Sequence, residues 1–109
     1  MAQLIWTIPA LHDLNEIAEY ISLENFDAAK NLVSNVFSTV EILEGFPSSG
    51  RFPPELTGTQ YREIICNPCR IFYRMGNDQI FILYVMRVER KLRRYLLEER
   101  KSKANNQIQ

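Results

Sequence analysis

Apolar positions recur at helical spacing through the first half of the chain and at strand spacing through the second. Leu4, Ile5 and Trp6 form a short β-type run from Gln3 to Thr7. Pro9 suits the first turn of a helix, where its missing N–H costs nothing. Leu11, Leu14, Ile17, Ala18 and Ile21 then share one helical face, with Asp13, Glu16, Glu19 and Glu24 turned away or near its edge. Asn25 reads as a second N-cap, with Asp27 in the favourable first turn. Ala29, Leu32, Val33, Val36, Phe37, Val40 and Leu43 make a long stripe that Gly45 to Pro47 ends. The prediction is an α-hairpin with helices of roughly fifteen and twenty residues.

Pro47 to Gly58 is dense in Pro, Gly and Ser and reads as loop. Strands are predicted over Tyr61 to Asn67, Cys69 to Met75 and Gln79 to Met86, the last two joined by Gly76-Asn77-Asp78. Short turns make them an antiparallel meander. Cys69, Ile71 and Tyr73 alternate with Arg70, Phe72 and Arg74, so one face should meet the helices and the other carry arginines. The third run is apolar on both faces, as a central strand would be. Beyond it, Val88, Leu92, Tyr95, Leu96 and Glu99 fit a helical stripe within a basic segment. The fold class expected is α+β: a strand, an α-hairpin, a three-stranded meander and a basic helical tail. With 109 residues this is one domain, drawn over 1–103, with a polar tail at 104–109.

Composition changes this picture in one respect. The net charge is zero, yet residues 1–50 carry seven acids and one base, Lys30, while residues 51–109 carry twelve bases and six acids. Either the halves neutralise each other across the fold, or a basic face is left for a partner. Met1 to Ala10 has neither the basic start nor the long apolar core of a signal peptide. The longest strictly apolar run, Ile80 to Met86, is far short of a membrane span. A soluble, cytoplasmic protein without membrane contact is the expectation.

Two sets of residues carry candidate chemistry. Cys66-Asn67-Pro68-Cys69 would need a helix start for redox work, or two further ligands for zinc, and His12 is the only histidine. Lying between two β-type runs, the motif reads instead as a pair of half-buried hairpin cysteines, with no metal and no cofactor expected. The second set is Arg51, Arg62, Arg70 and Arg74. A charge inside a strand pattern is costly when desolvated alone, so the four are expected to converge on one basic surface that grips an anion or docks an acidic protein segment. The alternatives are structural: Arg51 tying its loop to Glu55 or to a helix acid, and Arg74 as a solvated strand-end charge. Trp6 is expected in the core and His12 in solvent. Phe72, Phe81 and Tyr84 are core or contact anchors.

The order of short strand, α-hairpin, Gly50-Arg51…Glu55-Leu56 loop and meander resembles the RelE/ParE superfamily of bacterial type II toxin–antitoxin toxins. Arg62-Glu63-Ile64, and Ile71-Phe72-Tyr73-Arg74 followed by Ile80 to Val85, carry the rest of the likeness. It runs from residue 3 to about 92 and is strongest to the ParE branch. That branch usually shows Val-x-His-x-Arg-Arg after its last strand. Here Val85-Met86-Arg87-Val88-Glu89-Arg90 places Arg87 at the histidine position and Glu89 at the first arginine, and keeps Arg90. A tyrosine often found before Arg-Ile is Cys69.

The resemblance implies one of two poisons, each neutralised by a cognate antitoxin. ParE-like toxins bind DNA gyrase, which implies target contacts at Arg51, Arg62, Arg70, Arg74, Arg87 and Arg90. RelE-like toxins cut mRNA on the ribosome, which needs a proton acceptor, cations for the charged phosphorane and a proton donor. Arg62, Arg70 and Arg90 would be the cations, and Tyr95 would fall near the terminal tyrosine. Arginine is a poor proton carrier, its pKa lying far above neutrality. Tyr95, Glu89 or Tyr73 would then have to move the protons, so the balance tilts to the gyrase-binding reading, with no confident catalytic residue.

Overall fold

Capping residues set where the helices begin. In the computed structural model, α1 (Ile8–Ser22) starts behind Thr7, whose Oγ1 accepts from the Ala10 N–H and itself donates to the Ile82 carbonyl at 2.7 Å. The second helix, α2 (Phe26–Glu41), starts behind Asn25, whose Oδ1 accepts from the Ala28 N–H at 2.9 Å. Each side chain satisfies an amide that the helix cannot. The stripe of α2 continues into a single 3₁₀ turn, Ile42–Glu44, which buries Leu43. The structure describes residues 1–104, and for residues 94, 95 and 102–104 the backbone only. Most of the expected polar tail therefore lies outside the described residues.

The strands are β1 (Gln3–Trp6), β2 (Tyr61–Cys66), β3 (Cys69–Met75) and β4 (Gln79–Arg87). They form one sheet in the order β1-β4-β3-β2, antiparallel through the meander, with β1 parallel to β4. β4 is thus a central strand, as its apolar faces predict. Leu83 is an extra residue: Phe72 faces Tyr84 and Tyr73 faces Ile82. This bulge lets both Leu83 and Tyr84 lie away from the helices.

Both faces of the sheet are covered. On one, Cys69, Ile71, Tyr73, Ile80, Ile82 and Val85 pack against the α-hairpin together with Trp6 and Val36. On the other, Tyr61, Phe72, Leu83 and Met86 pack against Leu56 of the loop, Leu92, and Leu97 of α3 (Arg94–Ala104). The C-terminal stripe differs from expectation in phase. Leu97, not Leu96, is fully buried, Val88 is exposed, and Leu92 packs from the link before the helix.

Asp13 and Arg100 fasten α3 in place. Beyond the end of β1, the vacated edge of β4 offers the Val85 N–H and the Leu83 carbonyl. Asp13 Oδ2 accepts from the first at 3.0 Å, and Arg100 donates to the second at 3.1 Å while pairing with Asp13 through both guanidinium arms. Arg100 also stacks on the Tyr84 ring at 3.9 Å. Burial pushes the Asp13 carboxyl up, and its bonds to Arg100 and Val85 oppose that.

Candidate target-binding surface

The arginines of the meander do not share a face. The hairpin pairs Cys66 with Cys69, so Arg62 stands opposite Tyr73, and Glu63 opposite Phe72. Side chains directly opposite each other on neighbouring strands lie on the same face. Arg62 is therefore on the helix side, at the sheet edge, while Arg70 and Arg74 lie on the other side with Glu63. Arg62 donates to the Gly50 carbonyl at 2.9 Å and the Ser48 carbonyl at 3.4 Å, and lies 4.2 Å over the Phe52 ring. Arg74 lies over the Phe81 ring at 4.5 Å.

Arg70 is buried. Its side chain is 7 % exposed and surrounded by carboxylates. Nε donates to Glu63 Oε1 at 2.8 Å, and the two terminal nitrogens clasp Glu55 at 2.8 Å each. One arm also reaches the Arg90 carbonyl at 3.2 Å. Glu63, with no exposed side-chain surface, takes a second guanidinium on its other oxygen, Arg51 Nε at 2.7 Å. The four charges alternate as Arg51–Glu63–Arg70–Glu55 and sum to zero.

This ladder explains why the Gly50-Arg51…Glu55-Leu56 segment has its sequence. Arg51 forms a backbone bridge with Glu63, bonding both ways at 2.9 and 2.8 Å. Gly50 is squeezed below it: its N–H donates to the Tyr73 hydroxyl at 3.0 Å, and a Cβ there would lie 2.5 Å from that oxygen and 2.7 Å from the Glu63 carbonyl. Tyr73 in turn donates to the Pro47 carbonyl at 2.7 Å. Glu55 reaches across to accept from the Leu92 N–H at 3.3 Å, which ties the loop to the link before α3. Hydrogen bonding to Arg70 holds the Glu55 carboxyl down at about 2. The same contacts raise the affinity of Arg70 for its proton.

The remaining expected contacts lie after β4. Arg87 is on the helix side, paired with Glu89, whose carboxyl this pairing holds below its usual range. Arg90, Lys91 and Arg93 are exposed, and none makes an ion pair among the described residues. A cleft of about 340 Å³ is lined by Arg51, Pro54, Glu55, Ile65, Arg70 and Val88.

The predicted surface is thus split. Arg51, Arg62, Arg70 and Arg74 fall on two faces, with Arg70 neutralised internally; Arg90, Lys91 and Arg93 form a separate exposed group, and Arg87 is half-buried and paired with Glu89. The proton carriers that a nuclease would need are also placed. The Tyr73 hydroxyl is buried between Gly50 and Pro47, and burial raises its pKa. Glu89 is held by Arg87, and the Tyr95 side chain lies outside the described residues. The sequence reading offered Glu55 as a partner for Arg51; it missed Glu63, which takes Arg51, and it missed that Glu55 pairs with Arg70. Counting from the hairpin, Glu63 shares a face with Arg70, and that parity was the available signal.

The cysteines lie at the two sides of the β2–β3 hairpin as expected, but only Cys66 is half-buried. Both are free; Cys69 is buried, which pushes its thiol up to about 11, and Cys66 is half-buried, accepting from Thr39 Oγ1 at 3.6 Å. No group of three or more metal-binding side chains occurs among the described residues. No helix among them is long and apolar enough to cross a membrane.

Three likenesses bear on this geometry. A family model described as the ParE toxin of the type II toxin–antitoxin system parDE matches residues 4–95. A protein of Sinorhizobium fredii, named "Putative toxin Y4kP", is 37% identical over 81 residues, which span 74% of this chain and 82% of the relative. A solved structure described as the chromosomal ParDE toxin–antitoxin system of P. aeruginosa superposes with a TM-score of 0.70. It is 28% identical, covering 82% of this chain and 98% of that one.

Proposed function

We propose, from the premise that this chain belongs to the ParE family of type II toxin–antitoxin toxins, that it poisons DNA gyrase by binding it, and that a cognate antitoxin neutralises it. The observation that carries the gyrase reading over mRNA cleavage is the state of Arg70. A phosphate clamp must offer open N–H donors to a phosphoryl oxygen. Arg70 has four of its five donors engaged by Glu63, Glu55 and the Arg90 carbonyl. The exposed cations after β4 that make no ion pair among the described residues, Arg90, Lys91 and Arg93, are a group suited to fast, oriented encounter with an anionic surface.

The antitoxin is expected to present an acidic, partly apolar segment that folds as it binds. The cleft between Arg51, Ile65 and Val88 fits such a segment, offering a cation beside exposed apolar side chains. In the test, purified chain is added to gyrase with relaxed plasmid. Loss of supercoiling at micromolar toxin, reversed by the product of a small adjoining gene, is the expected result. Codon-phased mRNA cleavage on ribosomes by the parent chain, with gyrase untouched, would replace this reading by the nuclease one.

A further inference from the structure

The proposed function leaves the two hairpin cysteines without a part. Redox work of the thioredoxin kind needs a helix start that this motif lacks, but a single disulfide needs only two thiols in register. Cys66 and Cys69 stand directly opposite each other across the β2–β3 turn. Glu63 turns its backbone outward to Arg51. By alternation Ile64 and Cys66 bond inward to β3, which makes Cys66–Cys69 a hydrogen-bonded pair. Such pairs hold their Cα atoms about 5.5 Å apart, inside the roughly 4.4–6.8 Å that a disulfide spans. Both side chains lie on the helix side, where Cys69 belongs to the core and Cys66 packs against it. Drawing their Cβ atoms to about 4 Å asks for a shift of about 1 Å. The pair is the last of its hairpin, with only the turn Asn67-Pro68 beyond it, so that shift disturbs no further pairing.

The two thiols divide the chemistry between them. Cys66 is half-buried and open to a small oxidant, whereas Cys69 is fully buried and shielded from one. Burial pushes the Cys69 thiol up to about 11, the neighbouring Cys66 adds to this, and Arg87, its partner in register on β4, opposes it. Cys69 therefore keeps its proton until an electrophilic sulfur is brought against it. Cys66 Sγ accepts from Thr39 of α2, a contact that binding to Cys69 would take away.

We propose that Cys66 and Cys69 are a thiol modification site, closed by peroxide into a reversible cross-strand disulfide. Hydrogen peroxide transfers an oxygen atom to the Cys66 sulfur, giving a sulfenic acid and one water. Cys69 Sγ then attacks that sulfur. The S–S bond forms, the S–O bond breaks, and the hydroxyl leaves with the Cys69 proton as a second water. Two thiols lose two electrons in all, and one peroxide is reduced to two waters. A dithiol reductant restores both thiols. The disulfide releases Cys66 from Thr39, so the end of the hairpin loses its tie to α2 in the row that Arg87 completes.

In the test, the reduced full-length chain is treated with hydrogen peroxide, unfolded in an alkylating reagent and digested with trypsin, which releases both cysteines in the peptide 63–70. The expected result is a peptide unalkylated and lighter by two hydrogens, restored to two alkylated thiols by dithiothreitol. Amide shift changes on oxidation should be confined to the hairpin end, Thr39 and Arg87. In Cys69→Ser the reaction should stop at the Cys66 sulfenic acid, trapped by dimedone. In Cys66→Ser the buried Cys69 should react with peroxide at least about tenfold more slowly than Cys66 does in the parent. Two alkylated cysteines in the treated parent, a disulfide joining two chains, or equal reactivity of Cys66→Ser and parent would overturn the proposal. Should a variant fail to fold, the parent decides by peptide mass and shift map. Shift changes spread over the whole sheet would mean that the bond forms only in an opened molecule, which overturns it as well.

Discussion

Two arginine-rich stretches of this chain are put to opposite uses. Around β2 and β3, Arg70 is sunk among Glu55 and Glu63, and Arg51 closes the far side of Glu63. After β4, Arg90, Lys91 and Arg93 are exposed and make no ion pair with a carboxylate among the described residues. The first stretch fastens a loop and the C-terminal link to the sheet; the second is available to a partner. Density of arginine along a sequence therefore does not locate a binding face. What decides is whether acids at matching register are there to absorb the charge.

The largest expected effect is at the centre of the ladder. Arg70→Ala leaves Glu63 buried with only the exposed Arg51 beside it, and losing one partner of a buried pair costs about 3–5 kcal/mol. Chemical denaturation should show this; a loss below about 1 kcal/mol would mean that Arg70 is not a strut. Next is Gly50→Ala, which forces the loop off Tyr73 and the Glu63 carbonyl. Overpacking of that kind costs about 1–3 kcal/mol, read as a lowered melting temperature with an intact helical spectrum.

The ladder also sets a pH dependence. Glu55 titrates near 2 when folded against an ordinary 4.5. Its contribution is complete above 4.5 and is lost as pH falls through about 2. Unfolding midpoints of the parent should therefore drop over that window more than those of Glu55→Gln. Parallel curves would contradict the assigned pairing with Arg70. The smallest effect on stability is expected after β4: Arg90→Ala/Lys91→Ala/Arg93→Ala should stay within about 0.5 kcal/mol. A larger change would place these cations in the frame of the fold.

Much of the frame was legible in the sequence. Asn25 capped the second helix where expected, β3 spans the predicted Cys69 to Met75, and the apolar run of β4 marked a central strand. The site was less so, for three physical reasons. Side-chain parity depends on register, and the Cys66–Cys69 pairing puts Arg62 on the face opposite Arg70. Long-range closure of the second face by Leu56, Leu92 and Leu97 leaves no periodic signature, although a strand apolar on both sides hinted at it. The parallel β1–β4 pairing joins segments more than seventy residues apart, beyond the reach of local pattern, and the Leu83 bulge shifts the β3–β4 register in a run that is apolar on both faces and so leaves no mark of the shift.

The most direct measurement is a gyrase supercoiling assay comparing the parent chain with Arg90→Ala/Lys91→Ala/Arg93→Ala at matched folded fraction. The expected result is micromolar inhibition by the parent and at least about tenfold weaker inhibition by the variant, with an unchanged unfolding midpoint. Equal inhibition by both, or none by either, would contradict the assignment of these exposed cations to the target.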